Sequence, residues 1–170
     1  MKNTFVIFLI LLSVNVNAQK RMYEISKDSA NGCLVFNGSI ELEDLTNEPS
    51  FTWMKQGFEQ YQPNPQYNSL LSEQLPRYNL IVFLGTWCDD SHYWIPKLVK
   101  LLTTINYPMQ QLTLYGVSRS KTTNNGAEAP YHITFVPTII VMKDNKEAGR
   151  ITESAIHGLE ADLQEIILKK

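Results

Sequence analysis

The sequence predicts an α/β fold in which a central mixed β-sheet is flanked by helices, with a β-hairpin and a helix added at the N-terminus. The apolar run 79–84 is almost continuous, which is typical of a strand buried on both faces. Helical periodicity follows over 89–106, and a further strand follows at 111–117. Strands joined through a helix are expected to pair in parallel. Strands at 138–142 and 147–152, joined by a short turn, are expected to form an antiparallel hairpin.

The first eighteen residues have the pattern of a secretory signal peptide. Lys2 supplies a positive charge, Phe5–Leu12 is an unbroken apolar run, and Val16-Asn17-Ala18 offers a cleavage site before Gln19. A membrane anchor is the alternative, but the stretch 4–16 has 13 residues, fewer than the roughly 20 needed to cross a bilayer. The sequence therefore predicts export with cleavage and no membrane span in the mature chain.

An extension packed on the main domain is expected over residues 19–65. Strands 33–36 and 39–42 flank Asn37-Gly38, a dipeptide favoured in two-residue hairpin turns because both positions adopt positive φ. A helix is expected next, from about 46 to 61, and prolines directly after it end it. The extension is therefore predicted to be a hairpin followed by one helix.

The predicted helix 46–61 carries Trp53, Phe58 and Tyr61 at helical spacing. We expect these side chains to pack into the core rather than to line a ligand pocket. A second helix is expected at about 66–75, and an amphipathic helix at 155–168 that includes Ile156 closes the chain. The expected organisation is a signal peptide at 1–18, the extension at 19–65 and one α/β domain at 66–170.

Charge and cysteine content restrict the possible functions. The 170-residue chain has a net charge of −2 and no Lys/Arg cluster that could follow a nucleic-acid backbone. It has neither a Cys-x-x-Cys pair nor closely spaced histidines, which are the usual patterns of a metal site. We therefore expect no nucleic-acid partner, no metal and no cofactor.

Cys88 lies where a predicted buried strand gives way to a predicted helix, within Thr86-Trp87-Cys88-Asp89-Asp90-Ser91-His92. A cysteine at a helix N-terminus faces free backbone N–H groups and the positive end of the helix dipole, and both favour the thiolate. Ser91 is three residues further on and can donate a hydrogen bond to that thiolate from the same helical face. Cys88 is therefore the predicted nucleophile, with Ser91 as its donor.

The charges beside Cys88 act in opposite directions. A helix N-terminus favours a negative charge by about 0.3–1 kcal/mol. Asp89 and Asp90, if ionised about 7 Å from the sulfur, would each oppose it by about 1 kcal/mol. Alternatively, the two aspartates only stabilise the start of the helix. These opposing effects roughly cancel, so we predict modest activation of Cys88, and a protonated His92 would favour the thiolate further.

Three landmarks of this sequence resemble the thioredoxin superfamily. Trp87-Cys88 follows a strand, Pro96 lies eight residues after the cysteine, and Val136-Pro137-Thr138 precedes a hairpin. These landmarks belong to residues 66–168. The mature chain as a whole is similar to an exported bacterial branch of the superfamily, and this similarity includes Val117-x-Arg119-x-Lys121. The resemblance implies a thioredoxin-like fold and a location in the periplasm, the cell envelope or the extracellular space of a bacterium.

The resemblance also implies roles for several residues. In the superfamily the peptide bond before the proline at the position of Pro137 is cis, and the backbone before it pairs with an extended substrate. Val136 and Pro137 are therefore expected to form a substrate shelf, with Trp87 as a wall of the site. The sequence departs from the family pattern at Ser91, which replaces the second cysteine, and at Val82, which replaces a buried acid.

The replacement of the second cysteine leads to two functional hypotheses. A hydroxyl cannot release a mixed disulfide, so Cys88 would need an external thiol to resolve its adducts. The first hypothesis is a monothiol that reduces or isomerises disulfides, with protein or small thiol and disulfide substrates and an external thiol reductant as partners. The alternative is a non-catalytic module that binds peptides or partner proteins in the cis-proline groove. Thiol peroxidase chemistry is disfavoured because the sequence pattern around such a nucleophile is absent.

Cys33 is the other cysteine of the mature chain. A cysteine in an apolar strand is usually a small buried hydrophobic residue, and this is our expectation for Cys33. It could instead resolve adducts of Cys88, which would require the two Cα atoms to approach within about 7 Å.

Overall fold

The computed structural model describes residues 22–169, so the predicted signal peptide lies outside the described residues. The strands are β1 (Tyr23–Lys27), β2 (Leu34–Ile40), β3 (Asn79–Leu84), β4 (Leu112–Gly116), β5 (Thr138–Lys143) and β6 (Lys146–Thr152). The α-helices are α1 (Leu42–Thr46), α2 (Thr52–Gln60), α3 (Pro65–Gln74), α4 (Asp89–Thr104) and α5 (Leu159–Leu168). Within residues 22–169, no helix is both long and apolar enough to cross a bilayer.

The six strands form one mixed sheet in the order β1-β2-β4-β3-β5-β6. β3 and β4 pair in parallel and β5 and β6 pair antiparallel, which confirms both expectations. β3 lies between β4 and β5, so the loop that carries Cys88 leaves from the middle of the sheet. The α/β fold with a mixed, helix-flanked sheet is thus confirmed, and β1 and β2 belong to the same sheet.

The predicted turn at Asn37-Gly38 is wrong, because both residues lie within β2. The hairpin turns instead between Asp28 and Cys33, where the Asp28 side chain accepts two backbone N–H bonds and Gly32 has φ +72°. Gly38 pairs with Gly116 across the sheet. A Cβ on Gly38 would lie 2.5 Å from the Met22 carbonyl oxygen, so this glycine permits close strand approach rather than a turn.

Two helix boundaries differ from the predictions. The helix expected from about 46 begins at Thr52, and the shorter α1 comes before it because Glu41 and Asp44 form a capping box. The last helix begins at Leu159 rather than 155, after Gly158 with φ +104°. Ile156, expected on its apolar face, is 84% exposed and lies outside the helix.

The two faces of the sheet are covered differently. We name one the helix face, because it packs against buried residues of all five helices; examples are Leu45, Met54, Leu71, Leu98 and Leu163. We name the other the loop face, and its buried residues come from strands and connecting segments: Val35, Phe83, Trp87, Val117, Val136 and Ile140. Successive residues of β3 alternate between the two faces. Cys88 packs against the loop face.

Candidate functional site

Cys88 occupies the N-cap position of α4, four residues beyond the end of β3. Its thiol is unpaired and half-buried, and Sγ donates a hydrogen bond to the Val136 carbonyl oxygen at 3.4 Å. The Val136-Pro137 peptide bond is cis, as the resemblance implied. Cys88 and the shelf of Val136 and Pro137, 48 residues away along the chain, are therefore brought together.

Ser91 is fully buried under the loop that leads to Cys88. Its Oγ accepts a hydrogen bond from the Gly85 N–H at 3.1 Å, and the Cys88 N–H donates to the Gly85 carbonyl at 2.9 Å. Among the described residues, no hydrogen bond joins the Ser91 and Cys88 side chains. The Ser91 hydroxyl therefore stabilises the loop that precedes Cys88. A hydrogen bond from this hydroxyl to a Cys88 thiolate stays a prediction.

Trp87 forms a side of the site on the loop face. The side chain is 8% exposed, and its Nε1–H donates to the Val117 carbonyl at 2.8 Å. The guanidinium carbon of Arg119 lies 4.6 Å from the Trp87 ring centroid, within the range of a cation–π contact. Lys121 Nζ is 5.8 Å from the same centroid. Two cations therefore lie near the indole of the residue that precedes Cys88.

The three predicted modulating residues differ in exposure, since two are exposed and His92 is half-buried. Asp89 and Asp90 are exposed in the first turn of α4. The His92 Nε2 lies 2.8 Å from the Thr86 carbonyl oxygen, which can only accept, so this nitrogen carries a proton. The His92 ring also stacks on Trp53 with centroids 4.5 Å apart. The His92 Nδ1 lies 3.8 Å from Asp89 Oδ1, and the His92 backbone N–H donates to the Cys88 carbonyl at 3.0 Å. The side chain of His92 thus contacts Thr86, Trp53 and Asp89.

Trp53, Phe58 and Tyr61 are half-buried rather than fully buried, and all three pack along the α2 side of α4. The Tyr61 hydroxyl donates to the buried Glu160 at 2.7 Å, and burial together with this bond raises the pKa of Tyr61 above its usual range. Trp53 and Tyr61 also line a cavity of about 510 Å³ that reaches Asp89 and His92. The expected core role is therefore confirmed only in part.

Sequence reasoning missed a polar contact between the hairpin turn and the site. Asp28 is buried, and the Arg119 Nε–H and Nη2–H donate to its two oxygens at 2.6 and 2.9 Å. These bonds from Arg119 lower the pKa of Asp28 to about 2. The Asn31 Nδ2–H donates to the Trp87 carbonyl at 3.2 Å. Asn31 of the hairpin turn thus binds the Trp87 carbonyl, and Asp28 of the same turn binds the arginine that lies over the Trp87 ring.

Cys33 ends this turn and is half-buried, so the expectation of a small buried hydrophobic residue is met only in part. It packs against the loop face, as does Cys88. The structure therefore gathers both cysteines of the chain around the same small cluster.

Phe135 is a further residue of the site that sequence reasoning missed. It directly precedes the Val136-Pro137 shelf and is 49% exposed, and its carbonyl accepts from the Thr138 hydroxyl at 2.8 Å. Its position directly before Val136-Pro137-Thr138 is the feature of the sequence that could have identified it. Its exposed ring offers apolar area beside Val136 and Pro137.

No family model matches this chain, and no curated protein matches it. Among solved structures, the chain is similar to a thioredoxin from Fasciola hepatica at 26% identity, over 58% of this chain and 86% of that one, with a TM-score of 0.38. It is also similar to a protein of unknown function from Pseudomonas aeruginosa at 18% identity, over 68% of each chain, with a TM-score of 0.39. Both similarities concern the arrangement of strands and helices.

Proposed function

We propose that this protein carries out extracytoplasmic thiol–disulfide exchange, reducing or isomerising disulfides with Cys88 as the nucleophile. The observation that carries the proposal is the contact of the Cys88 thiol with the Val136 carbonyl, beside a cis-proline shelf and at a helix N-terminus. No side-chain cap occupies the N-terminus of α4, so its first-turn N–H groups are available to favour a thiolate. The half-buried thiol is accessible from outside.

The reaction begins when the Cys88 thiolate attacks one sulfur of a substrate disulfide. The Cys88–substrate disulfide forms, the substrate disulfide breaks, and the leaving sulfur departs as a thiolate that takes up a proton. A second thiol must then release the adduct, because the Ser91 hydroxyl cannot displace sulfur. An external thiol reductant supplies the reducing equivalents that restore the free Cys88.

The proposed substrates are disulfides in extended peptide segments or in small molecules. Val136 and Pro137 are buried and form the floor of the shelf, while Phe135 presents an exposed ring beside it. An extended segment on this shelf would bring its disulfide to Cys88 through contact with the backbone near Val136. The extracytoplasmic location rests on the N-terminal pattern and is tested by fractionating cells that express the full chain.

The first experiment compares two single-cysteine variants of the full chain, Cys33→Ala and Cys88→Ala. Each is treated with glutathione disulfide under native conditions, and mass spectrometry follows adduct formation. We expect Cys88 in the first variant to react about tenfold faster, or more, than Cys33 in the second, because only Cys88 lies at a helix N-terminus. Equal rates, or reaction of Cys88 only after unfolding, would show the proposal to be wrong.

A non-catalytic binding module is the second candidate, and the exposed Phe135 beside the shelf favours it. This function needs the groove but not the thiol. It predicts that Cys88→Ala binds a cysteine-free extended peptide as tightly as the unmodified chain does, with no mixed disulfide in either. Capture of disulfide-bonded peptides that disappears in Cys88→Ala would favour exchange instead.

A further inference from the structure

A single side-chain amide connects Cys33 to the residue before Cys88. Asn31 Oδ1 accepts from the Cys33 N–H at 3.1 Å, and Asn31 Nδ2 donates to the Trp87 carbonyl at 3.2 Å. The Trp87 carbonyl belongs to the peptide bond that links Trp87 to Cys88. One side-chain amide and two hydrogen bonds thus connect the Cys33 backbone to the peptide bond that precedes Cys88.

The side chains of the two cysteines share their surroundings as well. Both pack against the loop-face cluster that contains Trp87. The Arg119 guanidinium lies over the Trp87 ring and is held by Asp28 from the hairpin turn. The hydrogen bonds to Asp28 are the main reason that the pKa of Arg119 is raised. One fixed cation therefore lies over the indole of the cluster against which both cysteines pack.

The turn that carries Cys33 is exposed and adjoins the edge strand of the sheet, and Asp28 and Asn31 hold it on the loop face. Residues 29–32 are exposed, and Gly32 has φ +72°, which gives the turn a backbone conformation that glycine adopts readily. The preceding strand, β1, lies at the edge of the sheet and pairs only with β2. A small shift of this turn changes no strand pairing in the centre of the sheet.

We propose that Cys33 is the resolving thiol for Cys88, an inference that rests on the proposed function. The Cys33 thiol loses its proton and attacks Sγ of Cys88 in the mixed disulfide. A Cys33–Cys88 disulfide forms, the Cys88–substrate bond breaks, and the substrate leaves as a thiolate that takes up a proton. The external thiol reductant then acts only on the Cys33–Cys88 disulfide, which it reduces to two thiols. Cys33 thus takes the place of the cysteine that Ser91 replaces.

The test treats the reduced full chain with one equivalent of an aromatic disulfide such as 5,5′-dithiobis(2-nitrobenzoate). We expect two equivalents of aromatic thiolate to be released, with a Cys33–Cys88 cross-linked peptide found by mass spectrometry of the non-reduced digest. Cys33→Ser is expected to release one equivalent and to keep the adduct on Cys88. Asn31→Ala retains both thiols but lacks the amide bridge, and we expect it to slow the second release by about tenfold.

Two results would overturn the inference and are distinguishable. If the unmodified chain keeps the adduct on Cys88 as long as Cys33→Ser does, Cys33 does not resolve it, while the exchange function stands. If no adduct forms on Cys88 in either protein, the exchange function fails and the inference fails with it. Circular dichroism of Cys33→Ser and Asn31→Ala checks that both variants are folded.

Discussion

The helix face and the loop face of the sheet differ in what covers them. The helix face buries residues from every helix, and they form one continuous core. Among residues 22–169, the loop-face cluster has six buried hydrophobic residues, and half of them belong to connecting segments: Trp87, Val117 and Val136. Both cysteines pack against the loop face. The part of the molecule with the smaller core thus carries the candidate chemistry.

The two faces of the sheet therefore contribute differently, one mainly to stability and the other mainly to the candidate site. Burial of apolar area on the helix face supplies most of the stability of the fold. The loop face instead depends on hydrogen bonds and one ion pair that place Trp87, Arg119 and the cysteines. Regions with few buried apolar contacts open more readily than the main core of a protein. The proposed transfer of a disulfide bond from one thiol to another requires small movements of this kind. Substitutions on the two faces should therefore have different consequences.

The largest loss of stability is expected from Leu101→Ala on the helix face. Leu101 is fully buried in α4, and removal of a buried leucine side chain costs about 2–5 kcal/mol of unfolding free energy. Urea denaturation measures this loss. The rate at which Cys88 reacts with glutathione disulfide, measured without urea, should stay within about twofold of the original because the loop face is unchanged. A tenfold change in that rate would mean that the two faces are not independent.

Phe83→Leu, on the loop face, should have a smaller effect on stability and a larger one on the site. The Phe83 ring lies 5.1 Å from that of Tyr115 and 5.5 Å from that of Tyr131, centroid to centroid. Loss of these aromatic contacts is expected to cost about 1–2 kcal/mol. Because Phe83 packs in the same cluster as Trp87, we expect the rate of Cys88 alkylation to change several-fold. An unchanged alkylation rate would show that packing in this cluster does not affect the reactivity of Cys88.

The elements of the helix face were predictable because their signals are local. The apolar run of β3 has the predicted bounds, since burial on both faces leaves a continuous pattern in the sequence. α3 and α4 also lie close to their expected positions. The cis bond before Pro137 was predicted as well, through the resemblance of Val136-Pro137-Thr138 to a known motif.

The contacts of the loop face were not predictable because their partners are far apart in sequence. Asn31 and Trp87 are separated by 56 residues, and Asp28 and Arg119 by 91. No periodicity connects such pairs. The Asn37-Gly38 signal failed for a related reason, since the pairing of Gly38 with Gly116 across the sheet overrides a local turn preference. The sequence therefore predicted Cys88, Trp87 and the Val136-Pro137 shelf, but not the groups of the hairpin turn that contact them.

Asp28→Asn tests the ion pair that holds the hairpin turn on the loop face. The pKa of Asp28 is about 2 in the folded protein because of Arg119, below the value of about 3.9 for an unperturbed aspartate. A lowered folded-state pKa stabilises the protein above pH 4, and this stabilisation is lost as the pH falls toward 2. Urea midpoints measured between pH 4 and 2 should therefore fall less steeply for Asp28→Asn than for the unmodified chain. Equal slopes would contradict a role for the ion pair in stability.

The smallest effect on stability is expected from Phe135→Ala, which tests whether the loop face binds substrate beside Cys88. Phe135 is 49% exposed, and exposed substitutions of this kind usually change stability by less than about 0.5 kcal/mol. An extended peptide disulfide would contact this ring, whereas glutathione disulfide is too small to need it. We expect exchange with the peptide to slow several-fold and exchange with glutathione disulfide to stay unchanged. Equal slowing of both reactions would mean that Phe135 acts by positioning Val136 rather than by contacting the substrate.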